Sequence, residues 1–433
     1  MDEYMEQWQQ HLVKCMRCGT CRSVCPVFQV VNSENATARG KVRMIEAVIE
    51  GKLQLTQELQ QRMSKCLLCK ACVQGCPAGV KTDELFLSAR RKLAEKNGVP
   101  LVKKLAFTGL TYRRLFDLGL RAGALFQNLV FKDSPDGRGK LPRIPVPAAG
   151  LNARRLIPPL ATTPLHARLA TVNKVEHPKA RVAFFAGCML KYVYPDAGEA
   201  IVAILRENNV EVVFPADQCC CGTPAFTSGD FTVGQYLAEC NVAILADPSY
   251  DAIITGCASC GSALKHEYGQ VIADPAVKEK WKSIAGKVYD VAQYLVKFGY
   301  STDFGEVKAK VTYHDPCHLV RGMGVAAEPR QILKAIPGLE FVEMPNANKC
   351  CGAGGTFSLS HYEISRQIND EKLDKAEKTG ADTLATGCSA CRMHINDGLS
   401  LRQSGMKVRH TAEIIAEAYR TKKGGAGDAT ANS

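Results

Sequence analysis

The stretch Cys15-Met16-Arg17-Cys18-Gly19-Thr20-Cys21-Arg22-Ser23-Val24-Cys25-Pro26 decides the fold of residues 1–98. It recurs as Cys66-Leu67-Leu68-Cys69-Lys70-Ala71-Cys72-Val73-Gln74-Gly75-Cys76-Pro77. Three thiolates at this spacing wrap one [4Fe–4S] core, while the fourth cysteine of the run reaches across to the other core. Iron–sulfur cores are soft and take anionic sulfur ligands. The spacing therefore assigns Cys15, Cys18, Cys21 and Cys76 to cluster 1, and Cys66, Cys69, Cys72 and Cys25 to cluster 2. Each proline ends its cysteine turn and removes an N–H that would need a partner. Zinc knuckles pair C-x-x-C groups or mix in histidine, which these proline-closed runs do not do.

Between the runs, Arg39-Gly40-Lys41-Val42-Arg43 leads into an amphipathic stretch over 44–50. This predicts a helical insertion that either covers a cluster or docks a partner.

The whole chain has 433 residues, 46% hydrophobic and 23% charged, which suits an ordinary globular protein of two or three domains. Its 20 cysteines fall in spaced groups, so they read as metal ligands and not as a disulfide framework. The opening MDEYMEQWQQ has no apolar segment behind a basic start, and a reducing cytoplasm is expected. Lys and Arg exceed Asp and Glu by 55 to 43, a formal +12. Two thiolate-ligated clusters lower that to about +8. No aromatic-interleaved basic stripe points to nucleic acid. Neither a G-x-G-x-x-G after a strand nor a P-loop is present, so no nucleotide cofactor is expected in this chain.

The C-terminal half repeats itself. RVAFFAGC ending at Cys188 matches KVTYHDPC ending at Cys317, EVVFPADQCCCG matches EFVEMPNANKCCG, and DAIITGCASC matches DTLATGCSAC. The offsets are 129 for Cys188 and Cys317, 130 for Cys220 and Cys350, and 131 for Cys257 and Cys388. Each cysteine group follows a β-branched or aromatic run, with amphipathic stretches such as 197–207 between. This predicts two small α/β units with their thiols at strand C-termini. The candidate ligands are Cys188, Cys220, Cys221, Cys257 and Cys260, then Cys317, Cys350, Cys351, Cys388 and Cys391. Cys219 leaves the first register ambiguous by one residue. Cys240 has no counterpart and is expected as a buried thiol. His314 and His318 flank Cys317 as proton donors, ligands or orienting groups, and nothing in the first repeat matches them.

This C…CCG…C-x-x-C pattern resembles the cysteine-rich CCG domain of heterodisulfide reductase catalytic subunits and of glycolate oxidase iron-sulfur subunits. In the reductases it holds noncubane [4Fe–4S] clusters, and adjacent cysteines can address different irons. Zinc on four thiols, a cluster in one repeat only, and a redox-active thiol pair stay open alternatives. The domain order, CMRCGTCRSVCPVFQ, ARGKVRMIEAVIEGKL and KCLLCKACVQGCPAGV resemble the glycolate oxidase iron-sulfur subunit over nearly the whole chain. That resemblance implies oxidation of glycolate or lactate, with FAD on partner dehydrogenase subunits. It also implies electron transfer through this subunit to an acceptor, often quinone. The alternative it leaves is a heterodisulfide-reductase-type subunit that cleaves a disulfide at the CCG repeats. The anchor-type subunit of anaerobic glycerol-3-phosphate dehydrogenase is a third relation, in which lipid association matters more.

The expected organisation is therefore a helical two-[4Fe–4S] ferredoxin-like domain at 1–98 and a helical segment with a proline-rich linker or arm at 99–179. Two α/β CCG units follow at 180–305 and 306–420, then a disordered tail at 421–433. Within 101–131, Leu105, Leu115, Leu125, Phe126 and Leu129 alternate with Lys103, Lys104, Arg113, Arg114 and Arg121. The stretch is too charged to span a membrane. Packing on the protein's own core is expected, ahead of peripheral membrane association.

Overall fold

The computed structural model describes residues 8–9, 11–145 and 152–423. Its N-terminal part is helical. Helix α1 (Ala38–Ile49) is capped by the Thr37 hydroxyl, which accepts from the Gly40 amide at 2.9 Å. A side chain at Gly40 would meet the Glu34 carbonyl at 2.1 Å, so only glycine lets this helix seat on the preceding turn. Helices α2 (Gln57–Ser64) and α3 (Thr82–Asn97) bury Leu59, Met63, Leu85, Phe86 and Leu93 against it.

Helices α4 (Leu101–Thr111) and α5 (Arg113–Val130) follow, then a hairpin of β1 (Phe131–Asp133) and β2 (Lys140–Pro142). The described parts of the proline-rich segment, 133–145 and 152–178, tie the rest of the molecule together: Arg138 donates to the Asn396 side chain at 3.4 Å and the Leu156 amide to Asp397 at 2.7 Å. Arg155 is buried and donates to the Ser358 carbonyl at 2.5 Å, while β3 (Val172–Asn173) pairs antiparallel at the edge of the next sheet.

The first repeat is a sheet of β3, β4 (Ala180–Phe185), β5 (Val210–Val213), β6 (Ala252–Thr255) and β7 (Val288–Asp290), in the order β3-β5-β4-β6-β7. The second has β8 (Ala309–Tyr313), β9 (Leu339–Phe341), β10 (Thr383–Thr386) and β11 (Lys407–His410), in the order β11-β10-β8-β9. Apart from β3, both are parallel with equivalent order, which confirms the expected pair of α/β units. The central strands β4, β6, β8 and β10 are rich in apolar and β-branched residues because parallel strands are covered on both faces. The covering helices include α6 (Pro195–Glu207), α7 (Phe231–Leu245), α8 (Tyr362–Glu377), α9 (Ser389–Leu401) and α10 (Thr411–Lys423). One core runs from Leu85 and Phe86 through Phe185 and Leu237 to Leu384 and Ile395.

Two expectations need correction here. The 101–131 stretch does not pack away its apolar face: Leu101, Leu105, Leu115, Leu118, Leu125, Phe126 and Leu129 are exposed, Leu129 by 74%. Only Phe107 and Ala124 of the two helices are buried, because neighbouring elements cover just one narrow stripe. The expected tail begins late, since α10 continues through Lys423 and Lys422 pairs with Asp303. The remaining residues of that tail, 424–433, lie outside the described residues. Among the described residues no helix is long and apolar enough to cross a membrane.

Candidate metal centres and their cavity

The two cysteine runs fold alike. Arg17 and Gly19 in the first, and Leu68 and Lys70 in the second, adopt left-handed backbone at equivalent positions. That conformation is costly for Arg, Leu and Lys, and turning three thiols inward compensates for it. The structure gathers Cys15, Cys18, Cys21 and Cys76 around one narrow cavity, and Cys25, Cys66 and Cys69 around another; Cys72 borders both. Cys76 thus lies with the first run's thiols and Cys25 with the second's.

Backbone amides point at these sulfurs: Phe28 to Cys25 at 3.5 Å, Leu68 to Cys66 at 3.4 Å and Val80 to Cys76 at 3.5 Å. Burial pushes the Cys25 thiol up to about 12 and raises Cys72 as well, so the protein alone does not keep them ionised. Metal coordination would supply the missing positive charge, and the amides suit sulfur that stays anionic. This donor set fits iron–sulfur clusters.

Helix α1 covers both cavities, Ala38 facing each, Arg39 the first and Lys41 the second. Lys41 is fully buried, its Nζ donating to the Asn35 and Ala36 carbonyls at 3.1 and 2.8 Å. Burial lowers its pKa, while Cys66 and Cys25 oppose that.

In the repeats, the thiols assemble at the C-terminal ends of the strands. Cys188 follows β4, Cys220 and Cys221 follow β5, and Cys257 follows β6. Cys220 meets Cys188 at 3.8 Å, and Cys221 hydrogen-bonds Cys220 and Cys260, which hold its thiol well below the usual range. The second repeat reproduces this: Cys317 contacts Cys350, and Cys351 is lowered by Cys350 and Cys391. Gly352 has φ +93, and a Cβ there would meet the Ser365 carbonyl at 2.5 Å, so the CCG turn requires glycine.

The register ambiguity resolves outward. Cys219 turns away from the five thiols toward Cys240, with which it shares a hydrogen bond. Cys240 is only half-buried and borders a surface cavity with Cys219, Tyr236 and Arg113, so it is not the buried thiol expected. Its helix, α7, buries Leu237, Ala238 and Val242 in the core, and Cys240 falls on the opposite side near the exposed Tyr236.

Three relationships had no signal in the spacing. Cys69 of the N-terminal domain hydrogen-bonds Cys350 of the second repeat. Arg321 clamps that junction, donating to the Gln74 side chain at 3.1 Å and to the Cys69 and Asn348 carbonyls at 3.2 and 2.8 Å. A cavity of about 870 Å³ opens on this point, lined by Cys66 together with Cys317, Cys350, Cys351, Cys388 and Cys391. The first repeat's five thiols do not line it. Its polar groups include Arg90, Lys103 and His361. Burial lowers Lys103 to about 8 and His361 to about 4. Lys372, buried beside Cys351 and Cys350, donates to the Asn346 and Ala347 carbonyls at 2.8 and 3.0 Å, and burial lowers it to about 8. Lys372 occupies the position in α8 that Asn241 occupies in α7, so this buried cation belongs to the second repeat alone of the two.

His314 is wholly buried beside the second set of thiols. His318 lines the large cavity, its Nδ1 3.4 Å from the Ser259 hydroxyl.

Comparison with known proteins agrees with this architecture. The 4Fe-4S dicluster domain model matches residues 11–80, and the cysteine-rich (CCG) domain model matches 182–265 and 311–396. A protein of Bacillus subtilis (strain 168) named "Probable glycolate oxidase iron-sulfur subunit" is 30% identical over 96% of both chains. Lactate utilization protein A of Halalkalibacterium halodurans is 34% identical over 56% of this chain and 99% of its own. A fumarate reductase (CoM/CoB) subunit of Methanothermobacter marburgensis is 38% identical over 56% of this chain and 47% of its own. A solved hypothetical protein from Helicobacter pylori shares the fold alone, with a TM-score of 0.54 and 10% identity, over 99% of this chain and 76% of that one. On the full-length match, the dicluster domain and the paired cysteine-rich domains, this iron–sulfur chain belongs to the glycolate oxidase iron-sulfur subunit family.

Proposed function

We propose that this chain is the electron-transfer subunit of a flavin-dependent 2-hydroxy-acid dehydrogenase complex, with glycolate or lactate as substrate and FAD on partner subunits. The contact of Cys69 with Cys350 carries the reading, because it brings the N-terminal thiol sites against those of the second repeat in one buried cluster. The names of the Bacillus and Halalkalibacterium relatives supply the substrate class.

Cys15, Cys18, Cys21 and Cys76 would hold one [4Fe–4S] cluster, and Cys25, Cys66, Cys69 and Cys72 the other. The five thiols of each repeat would hold a noncubane cluster, with zinc as the alternative that metal analysis separates. Bound there, iron–sulfur centres carry single electrons away from a two-electron flavin. The chain's own residues do the rest. Exposed Val13, Met16 and Cys18 give a flavin subunit access to one end of the series. Lys41 and Lys372 place buried positive charge beside the inner thiols. The large cavity receives the acceptor beside the second repeat, with Lys103 and His361 as donors to a quinone oxygen. The exposed apolar row on α4 and α5, interleaved with Lys104, Arg114 and Arg121, rests on the membrane surface that carries such an acceptor.

A second reading, disulfide reduction at the second repeat, is favoured by the exposure of all five of its thiols to that cavity.

The test uses the assembled complex with Cys69→Ser. Substrate should still reduce the partner's flavin, while reduction of a quinone analogue should fall at least tenfold. Normal acceptor reduction in a variant that lacks cluster 2 would refute the relay.

A further inference from the structure

The two repeats differ in the chemistry they offer a metal. His314 follows β8 directly, and its ring nitrogen lies with the Cys351 and Cys391 sulfurs in a group whose atoms are all within 4.8 Å of one another. A small side-chain rotation brings such a group onto one metal atom bonded at about 2.0–2.3 Å. The ring has no exposed surface. Among the described residues neither Nδ1 nor Nε2 has a hydrogen-bond partner. The Ala347 carbonyl stands beside the ring, but it already accepts from the Asp315 amide at 3.1 Å and from Lys372 at 3.0 Å.

A buried imidazole with both nitrogens unpaired is costly unless something takes its lone pair. Its surroundings offer thiols, and imidazole suits both iron and zinc. The first repeat cannot do the same. At the offset of 129 residues that relates Cys188 to Cys317, the equivalent of His314 is Phe185, an apolar ring in the core.

We propose that His314 binds the metal of the second repeat through a ring nitrogen, making that centre a mixed nitrogen–sulfur site while the first repeat's centre stays all-sulfur. This rests on the reading of the second repeat as a metal centre. A neutral imidazole in the ligand shell raises the reduction potential of an iron–sulfur centre, as does the buried cation of Lys372 where the first repeat has Asn241. The second centre is therefore the better electron acceptor of the two, and it is the one that faces the large cavity.

The experiment uses full-length protein purified anaerobically, with histidine labelled with nitrogen-15, as wild type, His314→Phe and Cys351→Ser. Metal and sulfide content are measured first. If Cys351→Ser lowers neither, the second repeat holds no metal, and both the underlying reading and this inference fall. If metal is present as iron, pulsed EPR should show one strongly coupled histidine nitrogen that His314→Phe removes. An optically monitored titration should place that centre's midpoint lower in the variant. If the metal is zinc, X-ray absorption should show one nitrogen in its first shell, lost in the same variant. An all-sulfur shell, an unchanged midpoint, or a nitrogen signal that survives His314→Phe overturns the inference and leaves the metal centre standing.

Discussion

Cys257 and Cys388, the same position in the two repeats, meet across the boundary between them, the Cys257 thiol donating to Cys388. Ala258 donates its amide to the Gly387 carbonyl at 3.2 Å beside them, and His410 reaches the Gly256 carbonyl at 2.6 Å. The repeats therefore hold their thiols back to back, so damage at one set should be felt at the other. Cys388→Ser should reduce metal and sulfide by more than the content of one centre. Elemental analysis against Cys317→Ser, which lies on the far side of its set, makes the comparison. Equal losses in the two variants would show that the sets bind independently.

Lys41 tests the electrostatic side. Its ammonium lies buried near Cys25, Cys66 and Cys72, where it favours the more negative, reduced form of cluster 2. Lys41→Met should lower that midpoint by roughly 60 mV, a tenfold change in a one-electron equilibrium. It should also cost about 1–3 kcal/mol of stability, because two buried carbonyls lose their donor. EPR-monitored redox titration and urea unfolding read the two effects, and an unmoved midpoint would remove Lys41 from the tuning of this cluster.

The exposed face of α4 and α5 predicts lipid binding. Between residues 101 and 132 six Lys and Arg accompany a single acidic residue, Asp117. The full chain should cosediment with vesicles containing anionic lipid and release as salt rises. Leu125→Glu combined with Phe126→Glu, both at exposed positions, should weaken this at least tenfold without unfolding the protein. Equal binding to neutral vesicles, or none at all, would assign the face to a protein partner.

Asp290 gives a pH prediction. It is buried, accepts from the Ala292 amide at 2.8 Å, and burial pushes its carboxyl up to about 7. Unfolded, it would titrate near 3.9. The folded state therefore binds the proton more tightly, and the stability this contributes is present at low pH and lost as pH rises through about 7. The loss amounts to at most about 4 kcal/mol. Asp290→Asn keeps the helix cap and removes the titration, so it should flatten stability between about pH 4 and pH 7. A wild-type slope in the variant would locate the dependence elsewhere.

The sequence by itself determined the parts whose information is local. Cysteine spacing within each run, with a proline at its end, fixes which thiols share a loop. The recurrence at about 130 residues fixes two like α/β units, because a repeated pattern of buried strand and turn builds the same sheet twice. Tertiary structure alone decided what the thiols face. Cys69 against Cys350, Cys257 against Cys388, the shared cavity and the enclosure of His314 all join residues more than 30 positions apart through packing of separate elements. The exposed row on α5 belongs with these. Amphipathic spacing says that one face is apolar, but whether anything covers it depends on where the neighbouring helices run.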